Sequence, residues 1–391
     1  MLAFTKTLLK PGYIRLLWFC VPAIAAVIGI TQGADFYNNF LIFKQVFWHT
    51  IDQKNLYLAY PNEYLDKNHY GPFFSLIIAP FAILPVPLGV FLWIMANIAI
   101  LFFAIHQLPL STWSKNAILL IALIEALTAI QNVQFNPMLT AWIVLAYVFT
   151  KRNHTLLATA FIVAGMLVKI YGIVGFAFIF FSNDYKKFIT YSLMWSVVFF
   201  VAPMILADPE FIVQSYVDWY NSLVEKNEEN LSTYLFTGMQ DISFMGFVRR
   251  VSGLYTLPNW YFLIPAAILS LIPLLRFSQH AETSFQLTYL AQLLIGLVIF
   301  SSSAESPTYV IAVTGFAIWY VLQGPTPPLH IYLLLFLLLI LTVFSPTDLF
   351  PRYIRENYVI KYSLKALPCM IAWLKISWQL ITKDHRTKAY G

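Results

Sequence analysis

Long apolar stretches alternate with short polar ones along the chain, and the apolar stretches carry almost no charge. No Asp, Glu, Lys or Arg stands between Lys67 and Lys115, Lys187 and Asp208, Arg250 and Arg276, or Glu305 and Asp348. A helix needs about 20 mostly apolar residues to cross the hydrocarbon core of a bilayer, so the longer runs each have room for two crossings. Leu333–Leu341 is apolar at every position, which contradicts the alternating ten-residue segments of an outer-membrane barrel. The pattern predicts an all-α, polytopic transmembrane helical bundle of about 10–12 spans. They fall near 16–31, 72–86, 88–106, 116–131, 137–150, 155–168, 170–182, 188–206, 259–275, 285–300, 308–322 and 329–344. Several are short for a full crossing. Broken helices at membrane depth are tolerated where they line a cavity inside protein, so an internal site is expected.

Two polar stretches, 33–70 and 207–258, are too long to be simple turns and are read as external loops. Their aromatic residues (Trp48, Tyr57, Tyr60, Tyr64 and Tyr70; Tyr216, Trp219, Tyr220 and Tyr234) suit a membrane interface. In the first loop Phe36, Phe40, Phe43 and Phe47 share one helical face. This predicts an amphipathic helix on the outer leaflet, starting near Asp35. Lys6, Lys10 and Arg15 precede the first span and place the N-terminus in the cytoplasm by the positive-inside rule. Lys151-Arg152 and Lys186-Lys187 read the same way.

Composition sharpens this picture. Of 391 residues, 60% are apolar and 11% charged, against roughly 25% charged in soluble domains. The net charge of +6 first suggests a nucleic-acid partner, but its location argues against one. Residues 351–391 hold eight basic and two acidic side chains, and the rest of the chain balances at sixteen of each. The expected organisation is therefore a single transmembrane catalytic domain, 1–350, and a basic cytoplasmic interfacial tail, 351–391. Cys20 and Cys369 lie in apolar stretches and imply no disulfide framework.

The candidate chemistry lies in isolated polar residues. No Walker loop, GxGxxG, HExxH or CxxC occurs, and no histidines pair at metal-binding spacing, so no metal or other cofactor is expected. Asp35 follows the first span; it reads as a helix N-cap or as a general base. Lys169 is the only charge between Arg152 and Asp184; it reads as a snorkelling lysine or as a point charge for a phosphate. Glu125 reads as a bundle-stabilising partner. Glu305, in Ser303-Ala304-Glu305-Ser306-Pro307, reads as an outward-facing helix start. The amides of Gln131–Pro137, among them Gln134 and Asn136, suit helix capping or sugar hydroxyls equally. Gln240-Asp241-Ile242-Ser243 precedes Arg249-Arg250, a pair that reads as a topology signal or as a phosphate-binding fork.

Taken in order, these pieces resemble glycosyltransferase family 87, polytopic C-type mannosyltransferases that use polyprenyl-phosphate sugars. The likeness is carried by Asp35-Phe36-Tyr37, Asn55-Leu56-Tyr57, Tyr70-Gly71-Pro72, Val133-Gln134-Phe135-Asn136, Ala164-Gly165-Met166-Leu167-Val168-Lys169, and Gln240–Ser243 with Arg249-Arg250. One departure is that Ser306-Pro307-Thr308-Tyr309 lacks the histidines often found there in the family; Glu305 or Tyr309 stands nearby. The resemblance implies a C-type glycosyltransferase architecture and transfer of a hexose, mannose by expectation. The donor would be a polyprenyl phosphate, the acceptor a glycan or glycolipid at the outer face of the plasma membrane, and the outcome inversion. Asp35 would be the general base, and Lys169 with Arg249 or Arg250 would meet the leaving phosphate. Gln134, Asn136, Gln240, Ser243 and Glu305 would bind substrate, with Tyr57, Tyr70 and Trp219 as aromatic platforms. A flippase or transporter of lipid-linked saccharides, and a polymerase or ligase, are the competing classes. A transporter would favour inverted repeats, and none is visible in the sequence.

Overall fold

A computed structural model describes residues 10–232 and 240–386. Lys6, Tyr234 and Lys388 lie outside the described residues. The described residues are mainly helical, with no strand among them. The principal helices are α1 (Pro11–Thr31), α2 (Ala34–Ile51), α3 (Phe74–Ala82), α4 (Val86–Gln107), α5 (Thr112–Gln131), α6 (Asn136–Lys151) and α7 (Thr155–Val168). A 3-10 segment, Ile170–Phe181, leads to α8 (Tyr185–Val201). Then follow α9 (Pro209–Ser232), α10 (Phe244–Ser252), α11 (Trp260–Leu271), α12 (Thr283–Ile299), α13 (Tyr309–Val321), α14 (Leu329–Leu338) and α15 (Leu367–Thr382).

Among the described residues four helical stretches are long and apolar enough to cross a membrane: Pro11–Thr31, Val86–Gln107, Thr112–Gln131 and Tyr185–Ile205. Six shorter apolar ones accompany them. The expected span at 72–86 is instead the nine-residue α3, which contains Pro80 and stops before Pro85. At 1.5 Å per residue it reaches about 14 Å, half the hydrocarbon thickness. Faces of α1 and α8 leave Leu16, Ile24, Val27, Ile28, Leu193 and Val197 uncovered. Apolar surface of that extent marks a lipid-facing wall.

The chain forms two compact units, and the boundary differs from the expected 1–350/351–391 division. The N-terminal unit is Arg15–Leu108 with Ala129–Glu225; the C-terminal unit contains Pro109–Thr128 and Lys226 onward.

In the N-terminal unit α6 is the buried axis, with apolar residues all round it as a core helix requires. It packs against α4, α7 and the 3-10 segment. The α2 helix begins where expected, but its phenylalanine face is turned into protein: Phe40, Phe43 and Phe47 are buried. The Phe43 ring meets those of Tyr70, Phe74 and Trp93. That face is covered by the unit's own core rather than by lipid.

In the C-terminal unit α12 and α13 form a closely packed pair. A Cβ on Gly315 would stand 2.9 Å from the Ala291 carbonyl oxygen, so only glycine lets the backbones approach this closely. The basic tail is part of this unit. Cys369, Ala372, Trp373, Ile376 and Leu380 of α15 are buried against α12, α13 and α14. Gln292 donates to the Ser377 hydroxyl at 2.8 Å, and the Trp319 indole donates to Gln379 at 2.7 Å. Lys365, just before α15, is buried and pairs with Glu125 at 2.8 Å. It also donates to the Ser306 hydroxyl at 2.8 Å.

The chain end is docked through His385, whose backbone N–H donates to Gln279 and whose ring lies 3.0 Å from the Ser284 hydroxyl. Burial, helped by the charge of Lys383, pulls its imidazole down to about 4. An unfolded imidazole titrates near 6.5. The stability it contributes is therefore present above about 6.5 and lost as the pH falls toward 4. Thermal melts across that window should show a smaller acid-side loss in His385→Gln than in the parent. A separate melt tests the buried ion pair. Lys365→Met alone should cost about 3–5 kcal/mol by stranding Glu125, and adding Glu125→Gln should recover most of it.

Candidate functional site

The residues singled out in the sequence divide between the two units: Asp35, Tyr57, Tyr70, Gln134, Asn136 and Lys169 in one; Gln240, Ser243, Arg249, Arg250 and Glu305 in the other.

In the N-terminal unit Lys169 stands at a break. Helix α7 ends at Val168, Lys169 itself is extended, and the 3-10 segment starts at Ile170. Its half-buried ammonium donates to Asn136 Oδ1 at 2.9 Å. It also lies over the rings of Tyr171 and Tyr70, at 5.0 and 5.7 Å from their centroids. The Tyr70 hydroxyl and Gln134 Oε1 are 3.3 Å apart. Gly71 donates its N–H to the Val168 carbonyl, and a Cβ there would strike the Leu167 carbonyl oxygen at 2.0 Å. The Tyr70-Gly71 segment is thereby pressed against the end of α7, which sets Tyr70 beside Lys169.

Asp35 is in the first turn of α2, exposed, while Gly33 occupies the N-cap position with φ of 95°. Among the described residues its carboxylate has no hydrogen-bond or ion-pair partner, so it is not a capping group. One turn on, Asn39 donates to the Asn132 carbonyl at 2.7 Å. Asn132 belongs to the same linker as Gln134 and Asn136. Asn39, one turn after Asp35, and Lys169 thus bond the two ends of one short amide-rich segment.

The aromatic platforms have a different role. Tyr57 is buried, its hydroxyl donates to the Tyr70 carbonyl at 3.1 Å, and it packs with Leu56 and Trp219. Burial holds its phenol well above the ordinary tyrosine range. The Trp219 indole donates to the His69 carbonyl at 3.0 Å. Asn55 accepts from the Tyr57 N–H and donates to Asp218 at 2.8 Å. These groups fasten the loop after α2 onto α9, and neither Tyr57 nor Trp219 presents an open ring face to a sugar.

In the C-terminal unit Ser243 caps α10 by accepting from the Gly246 N–H, and Gly253 ends the helix in the left-handed region. Arg249 is fully buried. It donates to Asp241 at 2.7 Å, to Asn259 at 2.5 Å, and twice to the Leu257 carbonyl. Arg250 donates to the Gln240 and Asp241 carbonyls and to the Ser363 hydroxyl. Burial pushes the Asp241 carboxyl above the usual carboxylate range, against the pull of Ser243 and Arg249. The arginine pair therefore clamps the 240–243 turn, and neither guanidinium offers an open fork to a phosphate. Gln240 donates to Glu305 at 2.5 Å.

Sequence reasoning did not find the Glu125–Lys365 pair. The signal was two opposite charges, each isolated among apolar residues, but nothing in their spacing joins positions 240 apart. Among the described residues no group of three His, Cys, Asp or Glu is arranged to hold a metal ion.

The model of glycosyltransferase family 87 matches residues 68–346, most of the chain, and the protein belongs to that family. It is therefore a glycosyltransferase of the membrane. Lys169, Gln134 and the 240–250 segment lie inside the matched region; Asp35, Tyr57 and Lys365 lie outside it. A comparison with curated proteins finds no match.

Arg249→Ala should leave Asp241 buried without its counter-charge and cost about 3–5 kcal/mol, read as loss of folded, monodisperse protein in detergent. Lys169→Ala should purify and melt like the parent. The opposite pattern would return the phosphate role to Arg249.

Proposed function

We propose that this glycosyltransferase moves a hexose, mannose by family expectation, from a polyprenyl-phosphate donor to a hydroxyl of a glycan or glycolipid. The reaction takes place at the outer face of the plasma membrane, with the N-terminus in the cytoplasm, and inverts the anomeric centre. One observation carries the reading: the linker 131–137 is held at one end by Asn39, one turn after the exposed Asp35, whose carboxylate has no partner among the described residues, and at the other by the half-buried ammonium of Lys169.

The chemistry balances without a cofactor. Asp35 takes the proton of the acceptor hydroxyl as its oxygen bonds to the anomeric carbon. The bond from that carbon to the phosphate oxygen breaks, and the electron pair leaves with the polyprenyl phosphate. A cation already in place stabilises the charge gathering on that oxygen. Lys169 fills this role, held in position by Asn136 and the two tyrosine rings. Arg249 and Arg250 have no part in it. The membrane itself supplies the lipid-linked donor.

Asp35→Asn should lower the transfer rate by about 10²–10⁴-fold, the usual contribution of a general base, with donor binding unchanged. The assay is sugar transfer by purified protein from a panel of polyprenyl-phosphate sugars. Lys169→Ala should chiefly weaken the donor. Full turnover in the Asp35 variant would remove it as the base, and transport of intact lipid-linked sugar without transfer would favour a flippase.

A further inference from the structure

The C-terminal unit contains a second polar cluster, which adjoins the arginine clamp through Gln240 and Asn259 and does not include the Glu125–Lys365 pair. It is built where the 240–242 turn runs beside residues 302–304, through Asp241 N–H to the Ser302 carbonyl at 3.1 Å and Ile242 N–H to the Ala304 carbonyl at 2.8 Å. The last turns of α9 add two asparagines. Asn227 accepts from the Ser302 hydroxyl at 2.8 Å, and Asn230 donates to the Ser303 hydroxyl at 3.1 Å. Gln240 donates to the Glu305 carboxylate at 2.5 Å.

Two acceptors in this cluster are left over. Among the described residues Asn230 Oδ1 and Gln240 Oε1 are buried and have no hydrogen-bond partner, and the Asn230 side chain is fully buried. The orientation of Gln240 is forced, since only its NH2 group can face the Glu305 carboxylate; its oxygen must point away. A buried acceptor without a donor costs about 1–3 kcal/mol, and native proteins keep few of them unless water or a ligand supplies the donor. Ser303, Gln240 and Glu305 are only partly covered, so the cluster is not sealed.

We infer that Asn227, Asn230, Gln240, Ser302, Ser303 and Glu305 form a sugar-binding subsite that recognises the hydroxyls of a neutral hexose. What is open is acceptors beside a carboxylate, and the neighbouring arginines are consumed by the fold. A phosphate brings no hydrogen-bond donor and would meet like charge; a sugar ring brings several O–H donors at the spacing of adjacent carbons. The hexose belongs to either the lipid-linked donor or the acceptor glycan. This rests on the glycosyl-transfer reading and names the group of that reaction which the C-terminal unit binds.

The test is equilibrium binding to the purified full-length chain carrying Asp35→Asn, so that nothing turns over. Three probes are compared: a polyprenyl-phosphate hexose, the bare polyprenyl phosphate, and an alkyl hexoside as acceptor mimic. Asn230→Leu and Gln240→Leu should each weaken a sugar-bearing probe by about tenfold, the size of one lost hydrogen bond to a buried acceptor. The bare polyprenyl phosphate should bind as before, which also shows that the variants fold. Loss confined to the lipid-linked hexose assigns the subsite to the donor, and loss confined to the alkyl hexoside assigns it to the acceptor. Unchanged affinity for both sugar probes, as expected if water alone fills the cluster, overturns the inference. Equal weakening of the bare polyprenyl phosphate overturns it as well. If the parent binds no polyprenyl phosphate at all, the donor assigned above fails, while the alkyl hexoside still tests the subsite.

Discussion

A charge removed from water inside an apolar bundle must bring its partner with it, because the desolvation cost of a lone buried ion is several kcal/mol. The C-terminal unit is organised around that constraint. Arg249 and Asp241 meet at 2.7 Å with neither side chain exposed, and Glu125 and Lys365 meet at 2.8 Å in the same condition. The first pair fixes the turn that carries Gln240 and the cap of α10. The second joins α5 to the segment leading into α15, and Lys365 reaches Ser306 at the start of the late span.

The same constraint separates framework from chemistry. A guanidinium whose donors are spent on Asp241, Asn259 and Leu257 cannot also bind a phosphate. A tyrosine ring buried against Leu56 and Trp219, as Tyr57 is, does not offer its face to a sugar. Asp35 is different: it is exposed, it follows a glycine in an unusual backbone conformation, and its carboxylate is unpartnered among the described residues. Lys169 is half-buried at a point where one helix ends and a tighter one begins. A main-chain break of this kind in a polar-lined region is where membrane proteins can bring ionisable groups to a substrate.

Much of the helix map was legible, because lipid imposes a length and an absence of charge that can be read residue by residue. The spans expected at 88–106, 116–131 and 188–206 coincide with α4, α5 and α8 to within a few residues. Position 72–86 misled because apolar composition does not reveal that Pro80 and Pro85 hold the helix to nine residues. The tail misled in the other direction. Its basic excess suggested an interfacial tail, yet Lys365 has a buried glutamate, and one face of α15, with Cys369, Ala372, Trp373, Ile376 and Leu380, is packed into the C-terminal unit.

By itself the sequence determined the class of molecule, the positions of most helices and the short list of ionisable residues in or beside apolar segments. Those are local properties, set by hydropathy over a window and by the cost of placing charge in lipid. It also carried the family likeness through the order of short motifs. Only the tertiary structure decided which listed residue is spent. Asn136 with Lys169, Arg249 with Asp241 and Glu125 with Lys365 are contacts of geometry; the last spans 240 positions, and no periodicity encodes it. A residue's chemical availability depends on what its donors and acceptors already hold, and that is settled when the chain folds.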